Sequence, residues 1–179
     1  IGSIGKAELP FLFTKAQDAV HWNGQVQQNL FSDQYAQYVA NNTSYFPTDR
    51  YEINFSWVSS VWGNLYIGIV PQLQSIFENT DPTSAEYALA NVWWVYSFHR
   101  VTDYWGPIPY FNAGVPGKSV AYDSQELIYD DFFKRLDESI SILEDNSGGN
   151  AFGDFDIIYG GDIDKWIKFA NTLRLRLAM

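Results

Sequence analysis

The chain has 179 residues, a formal net charge of −10 and no cysteine. Acidic residues outnumber basic ones by 21 to 11, so nucleic acids and anionic membrane surfaces are poor partners, because both attract clustered Lys and Arg. Without cysteine, this chain forms no disulfide and has no thiol nucleophile or Cys-ligated metal site. Aromatic residues make up 18% of the sequence, which is high, and we expect some in the core and others presented for binding.

The first part of the chain predicts helix, then loop. Residues 10–39 carry an imperfect helical stripe that breaks near Asn23, and Ser32 or Asp33 is a plausible cap for a short second segment. Residues 41–55 alternate turn formers with aromatic residues and hold no period. We therefore predict one or two helices followed by a loop over 41–55.

Two helices are predicted in the middle of the chain. Apolar residues fall at helical spacing over 55–79, where Pro71 is expected to kink the helix because it lacks a backbone donor. Asp81 is predicted as an N-cap and Pro82 as the first residue of the next helix, which extends to about Tyr104.

Turn residues separate the last two predicted helices from what precedes them. The Gly and Pro residues of 105–110 force an extended turn, and Asp123 or Ser124 then caps a helix. Asp162 or Asp164 opens the final helix. The pattern predicts an all-α fold of stacked antiparallel helix pairs. The chain stops inside a helical pattern, so we expect residues 1–179 to be a single helical domain that is a fragment of something longer.

Catalytic chemistry is hard to find in this sequence. His21 and His99 have no recognisable triad partners, and the adjacent carboxylate pairs of the helix capped by Asp123 or Ser124 lie mostly on its solvated face. A denser acidic set offers oxygen ligands for Ca²⁺, with N-capping and a solvated loop as the simpler explanations. Its members are Asp154, Asp156, Asp162 and Asp164. We predict no enzymatic activity, no cofactor and no metal.

The aromatic residues divide into two groups. Those from Trp93 to Phe98 cover all sides of one helix, which predicts a buried helix, and Trp105 and Trp166 are assigned to the same scaffold. Those in and beside the 41–55 loop adjoin polar side chains, and flat rings beside hydrogen-bonding groups suit a sugar. The alternative is that they pin the loop to the core. The predicted ligand-binding residues are Tyr45, Arg50, Tyr51, Asn54 and Trp57.

Two segments resemble a known family. The first ends in Trp105-Gly106-Pro107-Ile108-Pro109-Tyr110, and the second contains Gly161-Asp162, Lys165-Trp166, Phe169-Ala170-Asn171 and Leu173-Arg174-Leu175-Arg176-Leu177-Ala178. In this order they resemble the SusD/RagB family. The resemblance implies a tetratricopeptide-like helical scaffold without enzymatic activity. It also implies a surface lipoprotein of the outer membrane that binds glycans and passes them to a SusC-like TonB-dependent transporter.

The resemblance leaves several points open. The family's lipid anchor is attached to an N-terminal Cys that this chain lacks. Family members are several hundred residues long, so the resemblance implies that residues 1–179 are the N-terminal part of a SusD-like protein. Gly106, Pro107, Pro109, Trp166 and Asn171 are interpreted as structural, so no family ligand residue is transferred. Besides glycan binding we consider a protein-interaction scaffold that docks the transporter, with the sugar or peptide site outside this chain. A helical-barrel carbohydrate-active enzyme is a third alternative, which the lack of facing carboxylates disfavours.

Overall fold

Helices dominate the computed structural model, which describes residues 5–20, 24–115 and 119–179. They are α1 Leu9–Ala19, α2 Asp33–Tyr35, α3 Phe55–Gly63, α4 Val70–Asn79, α5 Ala85–Trp105, α6 Gln125–Asp145 and α7 Ile163–Ala178. Short 3-10 turns lie at Lys6–Glu8, Pro47–Arg50 and Gly153–Phe155, and π-helical stretches at Gly24–Ser32 and Asn64–Ile69. Within these ranges no strand forms, and two isolated antiparallel bridges join Ile108 to Asp123 and Asn150 to Asp162. The predicted all-α class is confirmed.

Helices α5 and α6 form an antiparallel pair. At the end of α5, the Thr102 carbonyl accepts a 2.9 Å hydrogen bond from Gln125 Nε2 at the start of α6. Further back along α5, Asn91 Oδ1 accepts a 2.5 Å hydrogen bond from Arg135 Nη1. The end of α5 thus lies beside the start of α6, and the middle of α5 lies beside the middle of α6. The two helices therefore run in opposite directions.

Helix α7 returns along α6 in the same way. Arg174 Nε forms a 2.6 Å ion pair with Asp137, and Ser147, just after α6, donates a 2.7 Å hydrogen bond to Asp164 in the first turn of α7. The three longest helices are therefore stacked as antiparallel neighbours, as predicted. None of the described helices is long and apolar enough to cross a bilayer.

The core is centred on α5, which packs against α4, α6 and α7. Trp93, Trp94 and Phe98 are almost fully buried, which confirms the prediction for this helix. Trp93 also donates a 2.9 Å hydrogen bond from Nε1 to the Ala16 carbonyl, which ties α1 to the core. Burying each such ring contributes about 1.5–3 kcal/mol, so these aromatic residues are a main source of stability.

Two of the four predicted helix caps form. Ser124 Oγ accepts from the backbone of Leu127 and caps α6, and Asp162 caps α7. The prediction for Asp81 and Pro82 is wrong. The Asp81 carboxylate closes a tight turn by accepting from Thr83 N at 2.8 Å, and the cap of α5 is Ser84, three residues later.

The predicted helix over 55–79 is continuous but not uniform. Its α geometry ends at Gly63, gives way to the π-helical stretch Asn64–Ile69, and resumes at Val70. Pro71 is the second residue of α4, where a missing N–H costs least. The irregularity thus precedes the proline instead of centring on it.

The N-terminal region is more broken than predicted. Helix α1 ends at Ala19, the predicted break at Asn23 lies outside the described residues, and a π-helical stretch leads into α2. Ser32 precedes α2 without a side-chain capping bond, and this helix ends at Tyr35 instead of Val39.

Candidate functional site

Asn41 gives the 41–55 loop a hydrogen-bonded frame. Its backbone N–H donates to Asp49 Oδ2 at 3.3 Å, and its Nδ2 donates to the Phe46 carbonyl at 2.8 Å. The chain then makes the 3-10 turn Pro47–Arg50. The irregular segment predicted from the sequence is therefore a loop with one turn of 3-10 helix, held from within.

Three aromatic rings form a row from the loop to α3. The Tyr45 ring lies 4.8 Å from that of Phe46 in an edge-to-face arrangement, and Phe46 lies 5.6 Å from Trp57. Tyr45 is 79% exposed, whereas Trp57 is half-buried. Two of the predicted ligand residues thus belong to one row, with its outer end in solvent. We call these three residues the Tyr45 row.

Tyr51 lies in a different group of contacts. Its hydroxyl accepts a 2.8 Å hydrogen bond from Gln37 Nε2, and its ring is 5.5 Å from that of Tyr35. The side chain is 56% exposed, and the backbone is left-handed, with φ of +62°. This conformation costs a non-glycine residue about 1–2 kcal/mol, and such strain often marks functional positions.

Arg50 and Asn54 already have partners inside the protein. Arg50 forms a 3.2 Å ion pair with Asp49 and approaches the Ser44 carbonyl at 3.4 Å. Asn54 Oδ1 accepts from the backbone N–H groups of Ser56 and Trp57, which makes it the N-cap of α3. Asn54 therefore has a structural role that the ligand prediction did not foresee.

A second aromatic group, which sequence reasoning missed, lies at the other end of α3. Trp62 is its centre, with the rings of Tyr66, Trp105 and Tyr122 at 4.7, 5.8 and 6.0 Å. We call these four residues the Trp62 cluster. Trp105 was assigned to the scaffold, and in the structure it remains 37% exposed. Only the spacing of Trp62 and Tyr66 on one helix face pointed to this group, because Trp105 and Tyr122 join it through the tertiary fold.

The acidic set does not converge on a metal site. Asp156 is buried, and both of its oxygens accept hydrogen bonds from N–H groups. Asp162 caps α7 and pairs with Lys165, while Asp164 accepts from Ser147 and Gly148. Among the described residues, no three His, Asp or Glu side chains are grouped to hold a metal ion. The carboxylates thus serve turns and helix starts.

The residues of the 105–110 turn position neighbouring elements. Gly106 has φ of +71°, a conformation that L-residues rarely adopt, and its backbone closes on Thr102 through bonds in both directions. The Pro109 carbonyl accepts a 2.7 Å hydrogen bond from the Tyr66 hydroxyl. The Tyr66 phenol is protonated and donates at neutral pH, and burial raises its pKa further. The turn thereby fixes the end of α5 against the helix that carries Trp62.

Tyr110 extends this structural role toward α6. The residue is buried, and its hydroxyl donates a 2.6 Å hydrogen bond to Asp131, which also accepts 2.6 Å from Arg135 Nε. The Arg135 guanidinium lies over the Trp94 ring at 5.4 Å. The signature tyrosine is thus part of a packed polar network between α5 and α6. Trp166, another signature residue, is fully buried as predicted.

His99 fits a core histidine better than a catalytic one. The side chain is 3% exposed, and burial lowers its pKa, an effect that Asp103 opposes. Asp103 in turn accepts a 2.6 Å hydrogen bond from the Tyr129 hydroxyl. The other histidine, His21, lies outside the described residues.

Solved structures share this arrangement of helices. A chitin-binding SusD homologue from Flavobacterium johnsoniae is 30% identical with a TM-score of 0.85, and the match covers 96% of this chain and 38% of that one. A structure described as a chitin-binding protein is 34% identical with a TM-score of 0.78, over 95% of this chain and 38% of its own. A SusD-like protein from Bacteroides thetaiotaomicron is 26% identical with a TM-score of 0.80, over 95% and 37%. This chain therefore spans less than two fifths of the length of these relatives.

The sequence gives the same family independently. Residues 7–179 match the model of the SusD-like family, described as SusD and RagB outer membrane lipoproteins. No curated protein sequence matches the chain. The family match spans nearly the whole sequence and agrees with the helical scaffold and with the turn and helix signatures described above. The chain belongs to the SusD-like family.

Proposed function

We propose that the protein containing this chain binds a glycan at the cell surface and delivers it to a SusC-like TonB-dependent transporter. The observation that carries this proposal is the match to a chitin-binding SusD homologue over 96% of this chain at 30% identity. A second chitin-binding relative, at 34% identity, supports the same ligand class. Oligomers of N-acetylglucosamine are therefore the first ligands to test.

The 41–55 loop supplies groups suited to a sugar. Tyr45 presents most of its ring to solvent, and the Tyr45 row connects it to Trp57. A pyranose stacks its C–H face on such a ring, while hydroxyls pair with neighbouring polar groups. The exposed Arg50 guanidinium and the Tyr51 phenol lie in the same stretch of chain. We propose Tyr45, Arg50, Tyr51, Asn54 and Trp57 as ligand contacts.

The proposed location follows from the family. SusD and RagB proteins are outer membrane lipoproteins, and this assignment would place the loop outside the cell on a lipid anchor. The proposal assigns binding without catalysis, so the purified protein should release no reducing sugar from any glycan that it binds.

Binding is tested on the intact protein by isothermal titration calorimetry. Chitooligosaccharides of two to six residues, cello- and mannooligosaccharides of equal length, and unstructured peptides form the panel. We expect saturable binding of at least one oligosaccharide series and none of the peptides. Peptide binding without any sugar binding would contradict the proposal. Delivery is tested by co-purification with the transporter and by uptake of a labelled oligosaccharide in cells that lack the protein.

A second candidate function rests on exposed side chains that suit a protein better than a sugar. Val39 precedes the loop and Ile53 lies within it, and both aliphatic side chains are exposed. Aliphatic groups neither stack with sugar rings nor donate hydrogen bonds, and such patches are typical of protein contacts. In this alternative the loop docks the transporter, and the ligand site lies outside this chain. Replacing Val39 and Ile53 with Ser would then abolish co-purification while leaving glycan affinity unchanged.

A further inference from the structure

A polar cavity of about 240 Å³ lies between α5 and α6. Tyr87 on α5 and Pro82, shortly before that helix, line one side, and one face of α6 between Asp131 and Ile142 lines the other. None of the lining residues belongs to the 41–55 loop or to the Trp62 cluster. The cavity is therefore a separate feature of the surface.

Ser139 on α6 lines this cavity with an unpaired hydroxyl. The residue is 2% exposed, and its hydroxyl forms no hydrogen bond with any residue that the structure describes. Ser97 on α5 is just as buried, but its hydroxyl donates a 2.7 Å hydrogen bond to the Trp93 carbonyl one turn back. An unpaired buried hydroxyl costs stability, so the Ser139 hydroxyl is available to a molecule in the cavity.

Arg135 supplies the cavity with further donors in a fixed position. Its Nε donates to Asp131 at 2.6 Å and its Nη1 to Asn91 Oδ1 at 2.5 Å, while the guanidinium lies 5.4 Å from the centre of the Trp94 ring. A guanidinium carries five N–H groups, so three of them have no acceptor among the described residues. The network between α5 and α6 thus holds a preorganised group with unused donors beside Ser139.

The charges around the cavity balance. Arg135 is paired with Asp131, and the exposed side chains of Lys134 and Glu138 carry opposite charges at the rim. The lining therefore favours neither an anion nor a cation. It offers both donors and acceptors, which suits a neutral ligand whose hydroxyl groups can act as either.

The size and the apolar part of the lining limit the ligand further. Sites for drug-sized molecules measure roughly 300–1,000 Å³, so a cavity of about 240 Å³ holds a single ring and not an oligomer. Tyr87 contributes an aromatic ring, and Pro82 and Ile142 contribute aliphatic groups. A pyranose has a C–H face for such groups and hydroxyls for the polar ones.

We propose that this cavity binds a single neutral sugar residue, with Ser139 and Arg135 donating to its hydroxyl oxygens and Tyr87 packing against its ring. The inference goes beyond the proposed function, because it assigns a second site and does not require that the 41–55 loop binds a glycan. It predicts binding of a free monosaccharide in the millimolar range, since one ring makes few contacts.

The test is saturation-transfer NMR of monosaccharides with the intact protein. The probes are D-glucose and N-acetyl-D-glucosamine, with D-glucuronate and D-glucosamine as charged counterparts. We expect saturable binding of at least one neutral sugar. Ser139→Ala removes one hydrogen bond and should raise its Kd about 2- to 10-fold, and Ser139→Leu, which places a branched side chain in the cavity, should abolish binding.

A second serine on the same helix provides the matched control. Ser141 is exposed and does not line the cavity, so Ser141→Ala should leave the Kd unchanged. Wild-type protein that binds no neutral monosaccharide overturns the inference, and so does wild-type affinity in both Ser139 variants. A preference for either charged probe contradicts the charge balance and overturns it as well. Thermal unfolding shows that each variant is folded, and Ser139→Ala decides the outcome if Ser139→Leu is not.

Discussion

Trp166 donates a 2.7 Å hydrogen bond from its indole Nε1 to the carboxylate of Asp156, and both side chains are buried. The same Asp156 oxygen accepts from the backbone of Gly161 at 2.9 Å, and the other accepts from Gln17 Nε2 at 2.6 Å. One carboxylate thus joins α1, the loop before α7 and the signature tryptophan on α7. Backbone donors of Ile158 and Tyr159 complete its partners.

Replacement of Asp156 should therefore destabilise the protein strongly. Asp156→Asn sets an NH₂ group against N–H donors and leaves some of them unpaired, which we expect to lower the free energy of unfolding by about 3–5 kcal/mol. Trp166→Phe removes one donor and should cost about 1–3 kcal/mol. Urea denaturation measures both. Asp154→Asn, an exposed neighbour, should change stability by less than about 0.5 kcal/mol. Equal effects at positions 154 and 156 would contradict the assigned role.

His99 predicts a pH dependence of stability. Burial lowers its pKa in the folded state below the ordinary 6.5, so the unfolded chain binds a proton more readily. The stability from neutral His99 is complete above about pH 6.5 and is lost as the pH falls toward the folded-state pKa. This loss is at most about 1.4 kcal/mol per pH unit.

His99→Gln isolates this contribution. Unfolding free energies of wild type and variant, measured from pH 7.5 to 5, should converge as the pH falls, because the variant lacks the titrating group. Nearby Asp103 and Arg176 remain in both proteins and cancel in the difference. A difference that stays constant over this range would show that His99 does not titrate differently on folding.

Two glycines should respond to alanine in opposite directions. Gly161 has φ of +79°, and a Cβ there would lie 2.5 Å from the Ala151 carbonyl oxygen, so Gly161→Ala should destabilise by more than about 1–3 kcal/mol. Gly63 is helical, and a Cβ there meets nothing within 4 Å. Gly63→Ala should stabilise by about 0.4–1 kcal/mol. Thermal unfolding compares them, and destabilisation at Gly63 would contradict the open space around it.

Asn54 combines a capping role with a proposed ligand contact, and two substitutions separate these. Asn54→Ala removes the cap of α3 and should cost about 1 kcal/mol of stability, whereas Asn54→Ser keeps a capping oxygen and should cost little. If the amide contacts the glycan, both variants weaken binding in calorimetry. Full affinity in Asn54→Ser would restrict Asn54 to capping.

Local signals in the sequence were sufficient for the later helices. Ser124 and Asp162 are side chains that satisfy free N–H groups at a helix start, and each was one of two residues predicted for its cap. The cap prediction at Asp81 was wrong because a carboxylate that can cap a helix can also close a turn. Only the surrounding backbone decides between a cap and a turn. The burial of α5 was predictable because its aromatic residues leave no polar face.

Relationships between distant residues were not predictable in the same way. Asp156 looked like a possible metal ligand because a sequence does not show which donors converge on a carboxylate. Trp105 looked like scaffold because its neighbours in sequence are structural, although its neighbours in space form an open cluster. The Tyr45 row was partly predictable, since a loop rich in aromatic residues presents some of them to solvent.

Glycan binding through the 41–55 loop is the central claim, and calorimetry on loop variants of the intact protein tests it most directly. Trp57→Ala and Tyr51→Ala are titrated with the oligosaccharide that binds wild type best, after unfolding measurements show that both are folded. We predict that each raises the Kd about tenfold or more, the usual effect of removing a central aromatic contact. Wild-type affinity in both variants would contradict the claim and locate the glycan elsewhere in the protein.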